Sequence, residues 1–174
     1  GAATVAGGFG IANTGFSFFL SPINNNDFIW GVGPIVVTPA TSRNLGSSRW
    51  GLGPAAIALV QKNLWTIGVL MNQTWTLGGT KNPNGINTLF VQPFISHSFW
   101  QTWNFAFTSE TTVNWNASGK QMWTIPLDLV VVKVFSIGSQ IMTLGAGPRY
   151  FSLLNGTHSK WGARVVISFL FPNK

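Results

Sequence analysis

The chain holds only three acidic residues, Asp27, Glu110 and Asp128, and two histidines, His97 and His158. Any chemistry of charge must therefore be assembled from few groups. Glu110 and Asp128 fall at even positions in two stretches, 101–115 and 121–134, whose apolar residues occupy odd positions. Arg164 takes the polar phase of 160–171, and Arg149 alternates with Thr143, Gly145 and Gly147. If these stretches are neighbouring strands, the four charges share one face with Asn104 and Thr108, because side chains along a strand alternate between faces. Two roles fit such a constellation. One is a charged lining that selects solutes, as rings of charge do in pores. The other is a structural network of ion pairs that stiffens or plugs an interior, since buried charges must be paired or hydrated.

Other site chemistries find little support. A nucleophile activated by histidine needs a nearby acid to orient the base. His97 lies in Ser96-His-Ser98 and His158 in Gly156-Thr-His-Ser159, far apart and with no acid close in sequence, so the chain reads as a non-enzyme. There is no cysteine, which excludes disulfides and thiolate chemistry. Two distant histidines and three acids make no metal-ligand cluster, and no cofactor is expected. Gly31-Val-Gly33 and Gly51-Leu-Gly53 open no helix and sit in strand-like sequence, so they mark bulges or close packing rather than a phosphate loop. The net charge is +7. The basic residues are dispersed singly rather than clustered, which argues against nucleic acid as a partner.

The elements that must position these residues are all strands. The chain has 174 residues, 45% hydrophobic and 14% aromatic but only 7% charged. A soluble domain carries about 25% charged residues, so much of this surface is not expected to face water. A spanning helix needs ~20 apolar residues. No apolar run in the chain approaches that length, and Leu129 to Phe135 is interrupted by Lys133. The remaining way to satisfy every backbone group in lipid is a closed β-barrel.

Trp103 to Trp115 reads as one long alternation, with Trp103, Phe105, Phe107, Ser109, Thr111, Val113 and Trp115 against Asn104, Ala106, Thr108, Glu110, Thr112 and Asn114. Twelve steps at ~3.3 Å, tilted by ~40°, cover roughly 30 Å, enough for the ~25 Å apolar band of an outer-membrane barrel. Nine stretches read as strands: 9–20, 27–38, 50–61, 64–76, 87–97, 101–115, 121–134, 139–150 and 160–171. Pro34, Pro54, Pro93 and Pro126 lie inside them and predict bulges or local breaks. Trp65, Trp75, Trp103, Trp115, Trp123 and Trp161 mark the ends of apolar faces, the places of an aromatic girdle. With the C-terminus in the periplasm, the longer connections lie outside and carry Arg43, Arg49, Lys81, Lys120 and Lys160. These cations could meet the phosphates of lipopolysaccharide or act as ordinary solvated loop charges. An odd strand number conflicts with the even count of bacterial barrels. The Ala/Gly-rich residues 1–8 are a candidate remnant of a tenth strand, and further N-terminal strands are expected to be missing.

Phe18-Phe-Leu-Ser-Pro22, Phe28-Ile-Trp-Gly-Val-Gly-Pro34, Trp50-Gly-Leu-Gly-Pro54, Val91-Gln-Pro-Phe94, Trp123-Thr-Ile-Pro-Leu127 and Phe169-Leu-Phe-Pro172 occur in this order over nearly the whole chain. Together they resemble a family of bacterial outer-membrane proteins labelled "MetA-pathway of phenol degradation", also mislabelled "neuromedin U". The resemblance implies an antiparallel up-and-down transmembrane barrel of about twelve strands, of which this chain would be the C-terminal three-quarters. It also implies a transport-like role. Val131-Val-Lys-Val-Phe135 departs from the family pattern, which has Gly before the Lys.

The expectation is thus a single all-β domain over 1–174 in a bacterial outer membrane, in contact with lipid and lipopolysaccharide. It would act as a passive channel for small solutes, apolar or aromatic ones included. The alternative is a structural barrel with a closed lumen, self-assembling or paired with missing N-terminal strands. A soluble sandwich or shell protein is a third reading, opposed by the low charge.

Overall fold

The computed structural model describes residues 13–23, 27–40, 47–77, 85–138, 140–153 and 160–170. Residues 1–8, Arg43, Lys81 and His158 lie outside the described residues. The strands are β1 (Gly15–Ser17), β2 (Phe28–Val37), β3 (Gly51–Lys62), β4 (Trp65–Thr76), β5 (Asn87–Phe99), β6 (Trp103–Thr108), β7 (Thr111–Asn114), β8 (Trp123–Ile137), β9 (Gln140–Leu153) and β10 (Trp161–Leu170). A 3-10 turn, Gly119–Met122, precedes β8. All ten strands form one antiparallel sheet in chain order, with β6 and β7 sharing the row between β5 and β8. Among the described residues, β1 and β10 are its edges.

Two expected strands differ. The stretch 9–20 is a strand only at Gly15–Ser17 among the described residues, followed by an isolated bridge from Leu20 to Val32. The stretch 101–115 is interrupted at Ser109 and Glu110. The register across β5 is the same on both sides of the break, from Phe94↔Thr108 to Val91↔Thr111, so the alternation of faces survives it. The cause lies in the neighbours. Continuing the register sets Ser109 opposite Pro93 on β5 and Glu110 opposite Pro126 on β8. Neither proline has an N–H to give to the ladder. Only the bond from Ser109 N–H to the Pro93 carbonyl remains, at 3.2 Å. Pro126 also sits at a register shift between β8 and β9.

The prolines at 34, 54 and 148 share a second device. Each follows a glycine in the pattern Gly-x-Gly-Pro: 31–34, 51–54 and 145–148. In each a carbonyl of the adjacent segment moves in against the glycine. A Cβ on Gly33, Gly53 or Gly147 would stand 1.8, 1.6 or 1.8 Å from the carbonyl oxygen of Phe18, Gln73 or Leu129. No side chain fits at those separations, so these glycines are required by close approach of backbone.

The two faces of the sheet are unlike. Large apolar side chains crowd the outward one, including Trp30, Trp65, Ile67, Trp75, Val165 and Phe169, all exposed. The buried hydrophobic set is only Ile35, Ala40, Ala55, Val113 and Val130 among the described residues. The accessible surface is 12189 Å². A compact monomer of this mass would expose roughly 8,300 Å². The other face is concave: Gly15 on β1, Ile35 on β2, Asn72 on β4, Thr88 on β5 and Asn114 on β7 line one cavity of about 520 Å³. In a flat sheet β1 and β7 would lie five spacings, about 24 Å, apart.

Connections differ between the sheet's ends. Residues 63–64 and 100–102 make tight turns at one end, where only two residues separate β8 from β9 and the longer 18–27 joins β1 to β2, whereas 38–50, 77–86, 115–122 and 154–160 connect strands at the other. Asn63 (φ 55°) and Gly138 (φ 60°) supply the left-handed conformation that such tight turns need. Arg49, Lys120 and Lys160 are exposed in the long connections.

Replacing Gly53 with Ala is expected to lower stability by more than about 2 kcal/mol, because the backbone must move to admit a methyl group. Thermal unfolding in detergent, with the exposed-site variant Gly119→Asn as a control for loss of glycine, measures it. An unchanged midpoint for Gly53→Ala would contradict the close approach.

Candidate functional site

The concave face brings together the four charges that alternation places on it. Asp128 on β8 stands directly opposite Arg149 on β9. Arg164 on β10 stands opposite Gly147, two residues from Arg149 on the same face. Glu110 occupies the break between β6 and β7, two positions along from Thr108, the ladder partner of Asp128. The proline-induced break therefore sits at the residue that completes the cluster.

The contacts close on themselves. Arg149 grips Asp128 in two places, Nε to Oδ1 at 2.6 Å and Nη2 to Oδ2 at 2.9 Å. The same Nη2 donates to Glu110 Oε2 at 2.6 Å. Arg164 Nη1 reaches Glu110 Oε1 at 2.6 Å and Asp128 Oδ2 at 3.0 Å. Each carboxylate thus meets both guanidiniums, and the four charges sum to zero. Asp128 is completely buried, while the side chains of Glu110, Arg149 and Arg164 keep 20–24% of their surface. A buried carboxylate is tolerable only when paired and hydrogen-bonded, and bidentate guanidinium contacts are the strongest way to do both. Phe151 lies under Arg149, its ring centre 5.9 Å from the guanidinium carbon.

Around this network the face is uncharged and polar. Thr108 donates to the Pro93 carbonyl at 3.1 Å and accepts from Gln92 Nε2 at 3.3 Å. Asn104 donates to Ser98 Oγ at 3.2 Å, nearer the tight-turn end. Toward the long-connection end opens the cavity lined by Asn72, Thr74, Thr88, Phe90 and Asn114. The alternation of 101–115 places Asn114 on a polar face but does not join it to Asn72 and Thr74 in one hollow. That juxtaposition depends on the curvature of the sheet, which alternation does not report.

The outward face carries the tryptophans. Trp65, Trp75, Trp115, Trp123 and Trp161 are exposed, and Trp103 is half-buried. Trp65 and Trp103 lie toward the tight turns, and the other four toward the long connections. His97 belongs to this face: its ring centre is 4.4 Å from that of Trp65 and 6.0 Å from that of Phe105. That is an aromatic cluster rather than a base aligned on a nucleophile. No group of three or more metal-ligating side chains occurs among the described residues. No helix there is long and apolar enough to cross a membrane.

Compared with known proteins, the chain matches no family model, no curated protein and no solved structure.

Removing Asp128 and removing Glu110 should differ. Asp128→Ala leaves the two guanidiniums sharing Glu110 alone, with one positive charge uncompensated, and is expected to cost about 3 kcal/mol or more. Glu110→Ala, at a partly solvated position, should cost clearly less. Thermal unfolding of both variants in detergent tests the order; equal or reversed losses would contradict it.

Proposed function

We propose that this sheet is wall of a transmembrane β-barrel in a bacterial outer membrane, and that its concave side lines a passive route for small uncharged or weakly polar solutes. The observation that carries the reading is the inverted distribution of side chains: large apolar groups outward, hydroxyls, amides and an internally neutral charge network inward. Lipid would cover the outward face, and antiparallel strands joined in chain order are the spanning arrangement that satisfies the backbone. The two levels of tryptophan correspond to interfacial girdles. The tight turns correspond to a periplasmic end, and the long cationic connections to an outer end near lipopolysaccharide. The resemblance to the "MetA-pathway of phenol degradation" family supports the same reading, including a complete barrel of about twelve strands. The edges at β1 and β10 require closure by further strands or a second copy, because unpaired backbone is not tolerated in lipid.

A second reading is a structural barrel with a closed lumen. The saturated Glu110–Asp128–Arg149–Arg164 network favours it, since no charge is left over to attract an ion.

Solute and ion flux across liposomes carrying the whole protein tests the proposal; flat traces at confirmed insertion would sink the channel. Glu110→Ala then separates the two readings. Altered flux at an unchanged unfolding midpoint marks a lining role, and a lowered midpoint with unchanged flux marks a brace.

A further inference from the structure

On the outward face, one cation interrupts an otherwise apolar row. Along β8 the outward residues are Leu127, Leu129, Val131, Lys133, Phe135 and Ile137. Lys133 is exposed, and its ladder partner on β6 is Trp103. The ammonium lies 5.2 Å from the Trp103 ring centre. Among the described residues Lys133 forms no ion pair: the pairs found join Arg149 and Arg164 to Glu110 and Asp128 on the opposite face. Beside it runs a groove of about 370 Å³ lined by Trp103, Val131, Phe135, Leu144 and Ala146. The site lies near the tight-turn end, four residues before β8 stops.

We infer that this groove binds a single anionic glycerophospholipid, its phosphate on the Lys133 ammonium and an acyl chain along Val131, Leu144 and Ala146. The inference rests on the membrane reading above. Charge complementarity selects the headgroup: a lone ammonium at the level of an aromatic girdle attracts an anion at the water boundary. The apolar floor selects a diacyl lipid over a free phosphate. The ring of Trp103, 5.2 Å from the ammonium, limits the ways it can turn.

Native mass spectrometry of the whole protein, released from nanodiscs of mixed dioleoylphosphatidylglycerol and dioleoylphosphatidylcholine, tests this. One retained phosphatidylglycerol is expected, favoured about fivefold over phosphatidylcholine. Lys133→Met should abolish the preference and Lys133→Arg keep it. Ala146→Phe, which fills the groove but leaves the cation, should lose retained lipid. Lys160→Met should change nothing. Soluble glycerol phosphate should not displace the bound lipid. No preference in the parent protein, an undiminished preference in Lys133→Met, or displacement by glycerol phosphate would overturn the lipid site. Vesicle flotation separates the two levels: a protein that fails to float removes the membrane reading and this inference together. One that floats without preference removes only the lipid site.

Discussion

The structure depends on how a buried carboxylate is neutralised. Asp128 has no access to water, and its two oxygens are held by Arg149 and Arg164. Without both, the centre of the concave face would hold an uncompensated charge, among the most destabilising defects a fold can carry. Meeting that demand involves four consecutive rows: the β6–β7 row for Glu110, β8 for Asp128, and β9 and β10 for the arginines. The break at Ser109 and Glu110, the pairing Asp128↔Arg149 and the offset of Arg164 to Gly147 all serve one cluster.

Prolines and glycines shape the wall around it. Pro93 and Pro126 face the two residues of the break from either side, and neither can donate a ladder bond. Elsewhere Gly-x-Gly-Pro lets a neighbouring carbonyl approach closer than any Cβ allows. Regular hydrogen bonding is thus given up at chosen points on successive strands, and the sheet remains continuous through register on both sides of each.

Much of this was legible in the alternation of residues. Nine stretches correspond to nine rows, and the phase of Glu110, Asp128, Arg149 and Arg164 placed them on one face. What period-2 reading missed has physical reasons. A break that keeps register leaves no trace in alternation, so Trp103 to Trp115 read as one strand. The partner choices of Arg149 and Arg164 depend on distances across three rows. The hollow lined by Asn72, Thr88 and Asn114 depends on curvature. Gly-x-Gly-Pro stands in the sequence three times, but that each glycine takes a carbonyl in close approach depends on the pairing across the sheet.

The row order of the charges also constrains assembly. Each strand pairs with its sequence neighbour, so the sheet can grow by adding one hairpin arm after another. Asp128 arrives with β8, the first guanidinium with β9, and the second with β10. Until β10 docks, Glu110 and Asp128 share a single arginine and the growing edge carries an excess of negative charge. Docking of β10 therefore completes an electrical balance as well as a row of backbone bonds, and a chain arrested before it would be marked by that imbalance.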